Sequence, residues 1–146
     1  MLASGIEILE LIPQRPPMVM VDNLVLCEGP KTVTTLKISD DNIFASENGF
    51  SAPGILETMA QTAALRTGFL LKRQPGGENK KAPIGVIGSI KNFKLYFQPA
   101  TGNEIITIVE VQYEIMQATI VSARVEAEGK LAAEAEMQIF LTESES

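Results

Sequence analysis

Glu57 and Gln61 stand four residues apart in a stretch whose small residues, Gly54, Ala64 and Gly68, recur at a matching spacing. Residues three and four apart share one face of a helix, so these five form a single stripe, a carboxylate and an amide flanked by the smallest side chains. Small neighbours leave room beside Glu57. A carboxylate on an otherwise apolar helix is costly unless it is paired or used, so acid-base chemistry is one reading and a half-exposed glutamate at a sheet edge is the other. The stripe opens at Pro53-Gly54, where backbone N–H groups without intrahelical partners point toward developing negative charge. Every helix has such an end; its closeness to Glu57 is what gives it weight here.

The rest of the composition removes other chemistries. The chain has no histidine, which takes away the usual general base, the common zinc ligand and any histidine-dependent triad. Cys27 is the single cysteine, so no disulfide within the chain and no cysteine metal cluster can form, and its apolar surroundings make it a small core residue rather than a nucleophile. No metal or cofactor is expected. The net charge of −6 is unevenly placed: residues 1–103 carry ten basic and nine acidic side chains, and residues 104–146 carry two and nine. Without a basic face, and with aromatics at 5%, nucleic acid is not an expected partner. The acidic end reads as the outward, solubilising face of a sheet. The N-terminus lacks the basic start and apolar stretch of a signal peptide, and no apolar run approaches the ~20 residues that cross a bilayer, so a cytoplasmic protein without membrane association is expected.

The elements that must position Glu57 follow from periodicity and punctuation. Pro53 to about Lys72 is the one long helical candidate, with proline where a helix can begin and Lys72 and Arg73 where its dipole is negative. It is apolar on most sides and so is buried nearly all round. Before it, Ile6 to Ile12 is a short apolar segment stopped by Pro13, Met18 to Cys27 and Thr32 to Ile38 read as a hairpin, and Asp40 to Ala52 as a loop. After it, Gln74 to Ala82 is a solvated loop, followed by strands over Ile84–Phe97, Glu104–Ile115, Thr119–Glu128 and Leu131–Thr142. In the last two, Val121, Ala123, Val125, Ala127, Leu131, Ala133, Ala135, Met137 and Ile139 form the inward set, while Arg124, Glu126, Glu134, Glu136 and Gln138 face out. Four inward alanines leave space for something thick, and the helix is the only candidate. One long helix wrapped by an antiparallel sheet is α+β, and residues 1–146 read as a single domain.

Three segments carry a resemblance. Leu11-Ile12-Pro13-Gln14-Arg15-Pro16-Pro17-Met18-Val19-Met20-Val21-Asp22 resembles the Leu-Pro-His-Arg-Tyr-Pro-Phe-Leu-Leu-Val-Asp opening of bacterial 3-hydroxyacyl-acyl-carrier-protein dehydratases. Pro53 to Ala63 is similar to that family's Pro-Gly-Val-Leu-x-x-Glu-Ala-Met-Ala-Gln helix, and Ile90 to Lys94 with Pro99 to Gly102 is similar to its Val-Arg-Phe-Lys-Arg-Pro-Val-x-Pro-Gly-Asp. The order holds from about Ile8 to Leu141. The resemblance implies a hot-dog fold and a dimer, or a higher even oligomer, with active sites between two protomers.

It also implies roles. The family pairs a loop histidine, which takes the α-proton, with a helix acid, which protonates the departing hydroxyl, while a helix amide holds the thioester carbonyl. Glu57 matches the acid, Gly54 the amide and Gln61 the following glutamine. Pro53, Ala64, Gly68 and Phe93 are the expected substrate-binding positions, and Lys91 and Lys94 the expected docking positions for an acidic acyl carrier protein or a coenzyme A phosphate. The histidine loop departs from the family: Ala45 falls at its column without gaps, or Glu47 if two residues are missing, and the earlier motif histidine is Gln14. Losing a positioned base costs on the order of 10² to 10⁴ in rate, so Glu47 as a substitute base enters the candidate catalytic set. Three readings result. The chain binds or dehydrates acyl thioesters in fatty-acid, polyene or related lipid synthesis; or it is a thioesterase in which Glu57 directs water onto the thioester; or it is an inactive partner of a histidine-bearing dehydratase.

Overall fold

The computed structural model describes residues 1–142. A short strand β1 (Ala3–Ser4) and helix α1 (Ile6–Leu9) precede the hairpin β2 (Asn23–Glu28) and β3 (Lys31–Lys37). A two-stranded ribbon, β4 (Ala45–Ser46) and β5 (Gly49–Phe50), leads into α2 (Ala52–Lys72), and β6 (Ile84–Leu95), β7 (Glu104–Ile115), β8 (Ala118–Ala127) and β9 (Lys130–Thr142) complete the chain. The main sheet is antiparallel in the order β1-β2-β3-β7-β8-β9-β6, which leaves β6 at one edge. It curls around α2, as the α+β reading requires.

The packing follows from side-chain size. Ile55, Met59 and Ala63 on α2 meet Met20, Leu36, Ile38, Ile105, Val109, Val121 and Val125 in the principal core. Full burial of a side chain such as Ile55 or Met59 contributes about 1.5–3 kcal/mol relative to exposure. Ala123, Ala127, Ala133 and Ala135 are buried, and their missing volume is what α2 occupies. A second cluster, from Ile8, Leu11, Ile12, Val21, Leu24, Ala64 and Leu65, closes the other flank of the helix. The acidic residues of the last strands point outward as expected: Glu110 and Glu126 flank Arg124 at 3.7 and 3.3 Å. Glu143 and Glu145 lie outside the described residues.

The differences from expectation have identifiable causes. Met18 to Val21 is not part of a strand, because the backbone of Met18 and Met20 bonds side chains of α2: Gln61 accepts from Met20 N–H and donates to the Met18 carbonyl, and Thr58 donates to the Met20 carbonyl; pairing with β3 begins at Asp22 N–H, which donates to the Thr35 carbonyl. Leu131 faces solvent while Ala132 is buried, because a bulge between Val125 and Glu126 shifts the β8–β9 register by one residue. The segment read as a loop over Asp40 to Ala52 contains the β4–β5 ribbon, pinned by Phe50 N–H to the Pro99 carbonyl at 2.7 Å. Gly49 makes that approach possible, since at φ +103° a Cβ would stand 2.7 Å from the same carbonyl oxygen. The loop after α2 holds a 3₁₀ turn over Gly77–Asn79, and the Lys72 ammonium ties it down through the Glu78 and Lys80 carbonyls. Cys27 is a half-buried free thiol on β2, not a core residue.

Candidate active site

Glu57 lies on the α2 face that turns toward the edge strand. Together with Gln14, Ala60, Ala64, Gly85, Ile87 and Ile139 it lines a cleft of about 200 Å³ between α2, β6 and β9. The spacing of Glu57, Ala60 and Ala64 puts all three on one helical face. Gln61 donates from Nε2 to Glu57 Oε2 at 2.8 Å and to the Met18 carbonyl at 2.8 Å, while its Oε1 accepts from Met20 N–H at 2.7 Å. Its buried side chain thus fixes both the carboxylate and the backbone that crosses the helix. Apart from Gln14, the other side chains that line the cleft are apolar, so a ligand here meets one oriented acid and one amide.

The expected stripe is only partly open. Gly54 is buried in the first turn of α2, and a Cβ on it would stand 2.6 Å from Phe44 Cβ and from the Phe50 ring, so those two side chains fill the space its missing side chain leaves. Gly68 is packed against the Leu11 carbonyl, so its bare Cα serves a close crossing of the N-terminal segment over the helix rather than a ligand. Ala64 lines the cleft. Pro53 is exposed in the first helical turn, and Phe93 is half-buried against the principal core; neither lines the Glu57 cleft. Glu47 is exposed at the tip of the β4–β5 ribbon, away from the cleft lining, whereas Ala45 packs against the core. Lys91 and Lys94 are exposed on β6, opposite Glu136 and Glu134 of β9 in the sheet register.

One polar residue of the cleft lies outside the expected functional set. Gln14 attracted notice only as the glutamine at a motif histidine column, yet it lines the cleft with Glu57, and its buried Oε1 has no hydrogen-bond partner. A larger groove of about 590 Å³ between α1 and Pro16-Pro17 has Asp22 as its titratable group. That carboxylate is already engaged by Lys37 N–H at 2.8 Å, so the smaller Glu57 cleft is the better place for chemistry. Among the described residues no group of three or more His, Cys, Asp or Glu side chains is placed to hold a metal ion, and no helix is long and apolar enough to cross a membrane.

A sheet curled around one long helix, with a carboxylate on that helix facing a cleft, defines a hot-dog protein with an acid-bearing site. The sequence pattern of the ApeP-like family, described as ApeP dehydratase, matches residues 6–146, and the chain belongs to that family. Its role is dehydratase-like. It is 28% identical over 94% of its length to the 3-hydroxyacyl-[acyl-carrier-protein] dehydratase FabZ of Ruminiclostridium cellulolyticum, of which it covers 96%. Among solved structures it is similar to the dehydratase heterocomplex ApeI:P from Xenorhabdus doucetiae, with a TM-score of 0.76 and 12% identity over 95% of this chain and 91% of that one. A hypothetical thioesterase from Streptococcus pneumoniae TIGR4 with coenzyme A superposes with a TM-score of 0.62 and 12% identity, over 85% and 90% of the two chains. At such identities the two structures speak for the fold alone.

Proposed function

We propose that this protein acts on 3-hydroxyacyl thioesters of acyl carrier protein as the acid-bearing part of a dehydratase site, in fatty-acid, polyene or related lipid synthesis in the cytoplasm. The observation that carries the reading is Glu57, held by Gln61 and facing the cleft between α2, β6 and β9. In the elimination, a base takes the C2 proton, the C–H electrons form the C2–C3 double bond, and the C3–O bond breaks as the hydroxyl oxygen takes the Glu57 proton and leaves as water. Gly54, whose N–H belongs to the first turn of α2, is the proposed donor to the thioester oxygen.

The base is assigned to a second chain. This chain has no histidine, Ala45, at the histidine column without gaps, packs against the core, and Glu47, at that column if two residues are missing, is exposed at the ribbon tip. A second protomer seated along β6 would bring its own loop toward the cleft, and the 12-residue edge, with Val86 60% and Ile90 41% exposed, suits such pairing. A histidine-bearing relative in that position completes the acid-base pair. Lys91 and Lys94 remain the proposed contacts for the acidic carrier.

The test is incubation of the full chain, alone and mixed with a histidine-bearing relative, with 3-hydroxyacyl and saturated acyl carrier protein. Water loss and thiol release are followed together by mass. Water loss in the mixture that Glu57→Ala abolishes supports the proposal; water loss by the chain alone that Glu47→Ala abolishes moves the base to Glu47. Thiol release dependent on Glu57 would instead make it a thioesterase, and no dependence on Glu57 in any mixture would leave it a partner without chemistry of its own.

A further inference from the structure

Gln14 stands between two anchored stretches of chain. On one side Leu11 and Ile12 are buried, and the Leu11 carbonyl lies against the bare Cα of Gly68. On the other, Gln61 and Thr58 hold the backbone of Met18 and Met20 through bonds of 2.7 to 2.8 Å. Pro13 and Pro16 stiffen the short span between, since each fixes its own φ. The position of Gln14 over α2 is therefore set from both ends.

What that position presents is an unanswered acceptor. Gln14 Oε1 is buried and has no hydrogen-bond partner, although buried polar groups are seldom left so, because an unmade bond in a dry site is costly. Of its neighbours in the cleft, Ala60, Ala64, Gly85, Ile87 and Ile139 carry no polar side-chain atom, and Glu57 is bonded through Oε2 to Gln61 and not to Gln14. The cleft thus combines an amide carbonyl and a carboxyl group with hydrocarbon walls. A ligand that answers both has an O–H on an alkyl chain: its proton goes to the amide oxygen, and its own lone pairs face the carboxyl.

We propose that Gln14 is a specificity-determining residue whose side-chain carbonyl accepts a hydrogen bond from the 3-hydroxyl of a 3-hydroxyacyl thioester, setting the hydroxyl oxygen against Glu57. This rests on the reading of the cleft as an acyl-thioester site. It assigns to Gln14 the choice between a hydroxylated chain and a saturated one, independently of whether the α-proton is then removed.

The experiment is calorimetric titration of the full chain with unreactive pantetheine amides of matched length, carrying 3-hydroxyacyl, 3-methoxyacyl or saturated chains. The 3-hydroxyacyl chain is expected to bind on the order of 3- to 10-fold more tightly than the other two, the worth of one neutral hydrogen bond. Gln14→Met, which keeps the length and removes the acceptor, abolishes that preference, leaves the saturated chain bound as before, and raises the unfolding midpoint because a buried unpaired oxygen is gone. Equal binding of the hydroxylated and methoxylated chains by the wild type overturns the proposal without recourse to any variant, as does a preference that survives in Gln14→Met. Binding of none of the three chains overturns the acyl-thioester reading and this one with it.

Discussion

Glu57 and Thr58 are neighbours on α2, and the polar groups around them are arranged on different principles. On the Thr58 side the hydroxyls that touch the helix have answers: Thr58 donates to the Met20 carbonyl and lies 3.4 Å from Thr107, Thr62 donates to the Thr58 carbonyl, and Thr34 and Thr62 share a bond of 2.8 Å. On the Glu57 side the carboxylate is held through one oxygen, and Gln14 Oε1 is left open. The first arrangement fastens the helix to β3 and β7 and specifies how it sits. The second keeps bonding capacity in reserve for something that is not part of the chain. Polar residues inside a core are thus not one class; what separates them is whether every donor and acceptor has been spent.

The contrast can be broken from either side. The largest effect is expected at Glu57: in the mixture with a histidine-bearing relative, Glu57→Ala lowers dehydration by on the order of 10² to 10⁴ and leaves the fold intact, measured as the rate of water loss beside a circular dichroism melt. A Glu57→Ala variant that loses its fold instead would put the residue with the threonines. Next comes Gln61→Leu, which strands the Met20 N–H and the Met18 carbonyl and costs about 3 kcal/mol in denaturant unfolding, with activity lowered too because Glu57 loses the donor that holds it. Smaller and opposite in sign are two identical replacements at buried threonines, one inside that paired set and one outside it. Thr62→Val leaves the Thr34 hydroxyl unpaired and destabilises by about 1–2 kcal/mol, whereas Thr32→Val removes a buried hydroxyl that had no partner and is neutral or stabilises by up to about 1 kcal/mol. Equal effects from the two would remove the distinction between spent and unspent groups.

The smallest expected signal lies on the outer face. The Tyr96 phenol donates to Glu134 at 3.0 Å, and that bond, with lesser contributions from burial and from the carboxylate charge, raises its pKa above the ordinary value of 10.0. A raised value means the folded state holds the proton more tightly. The bond is therefore present below the ordinary phenol range and lost as pH climbs through the raised one. In a Tyr113→Phe background, absorbance titration reports Tyr96 alone, and Glu134→Gln brings its titration down.

The architecture was legible because it rests on local and periodic signals. The α2 segment announces itself by length, by proline at its start and by lysine at its end, and the alternation in β8 and β9 gives their inward face directly. Glu57 was legible for the same reason: i, i+4 spacing is a property of one element. The misses share a different cause. Met18 to Val21 has the composition of a strand, yet the partners of Met18 and Met20 are side chains on α2 some forty residues away, which no window of sequence contains. Leu131 fails because a bulge at Ala132 turns it out of an alternation that the residues beyond it keep, and Gly68 because an empty Cα looks the same whether a ligand or the chain itself fills the space. Gln14 shows in the sequence as a departure from a motif, but its open acceptor does not, since an acceptor is unpaired only with respect to everything that surrounds it.

Gln61 holds the carboxyl group of Glu57 and the two ends of the Met18–Met20 span with a single side chain. Inheritance treats such a residue differently from the acid it steadies. A lineage that stopped performing chemistry would still need Gln61 to fold, while position 57 would be free to wander. A lineage under pressure for chemistry must retain both, so the rate at which these two neighbouring positions change relative to one another records whether a descendant still works for its living.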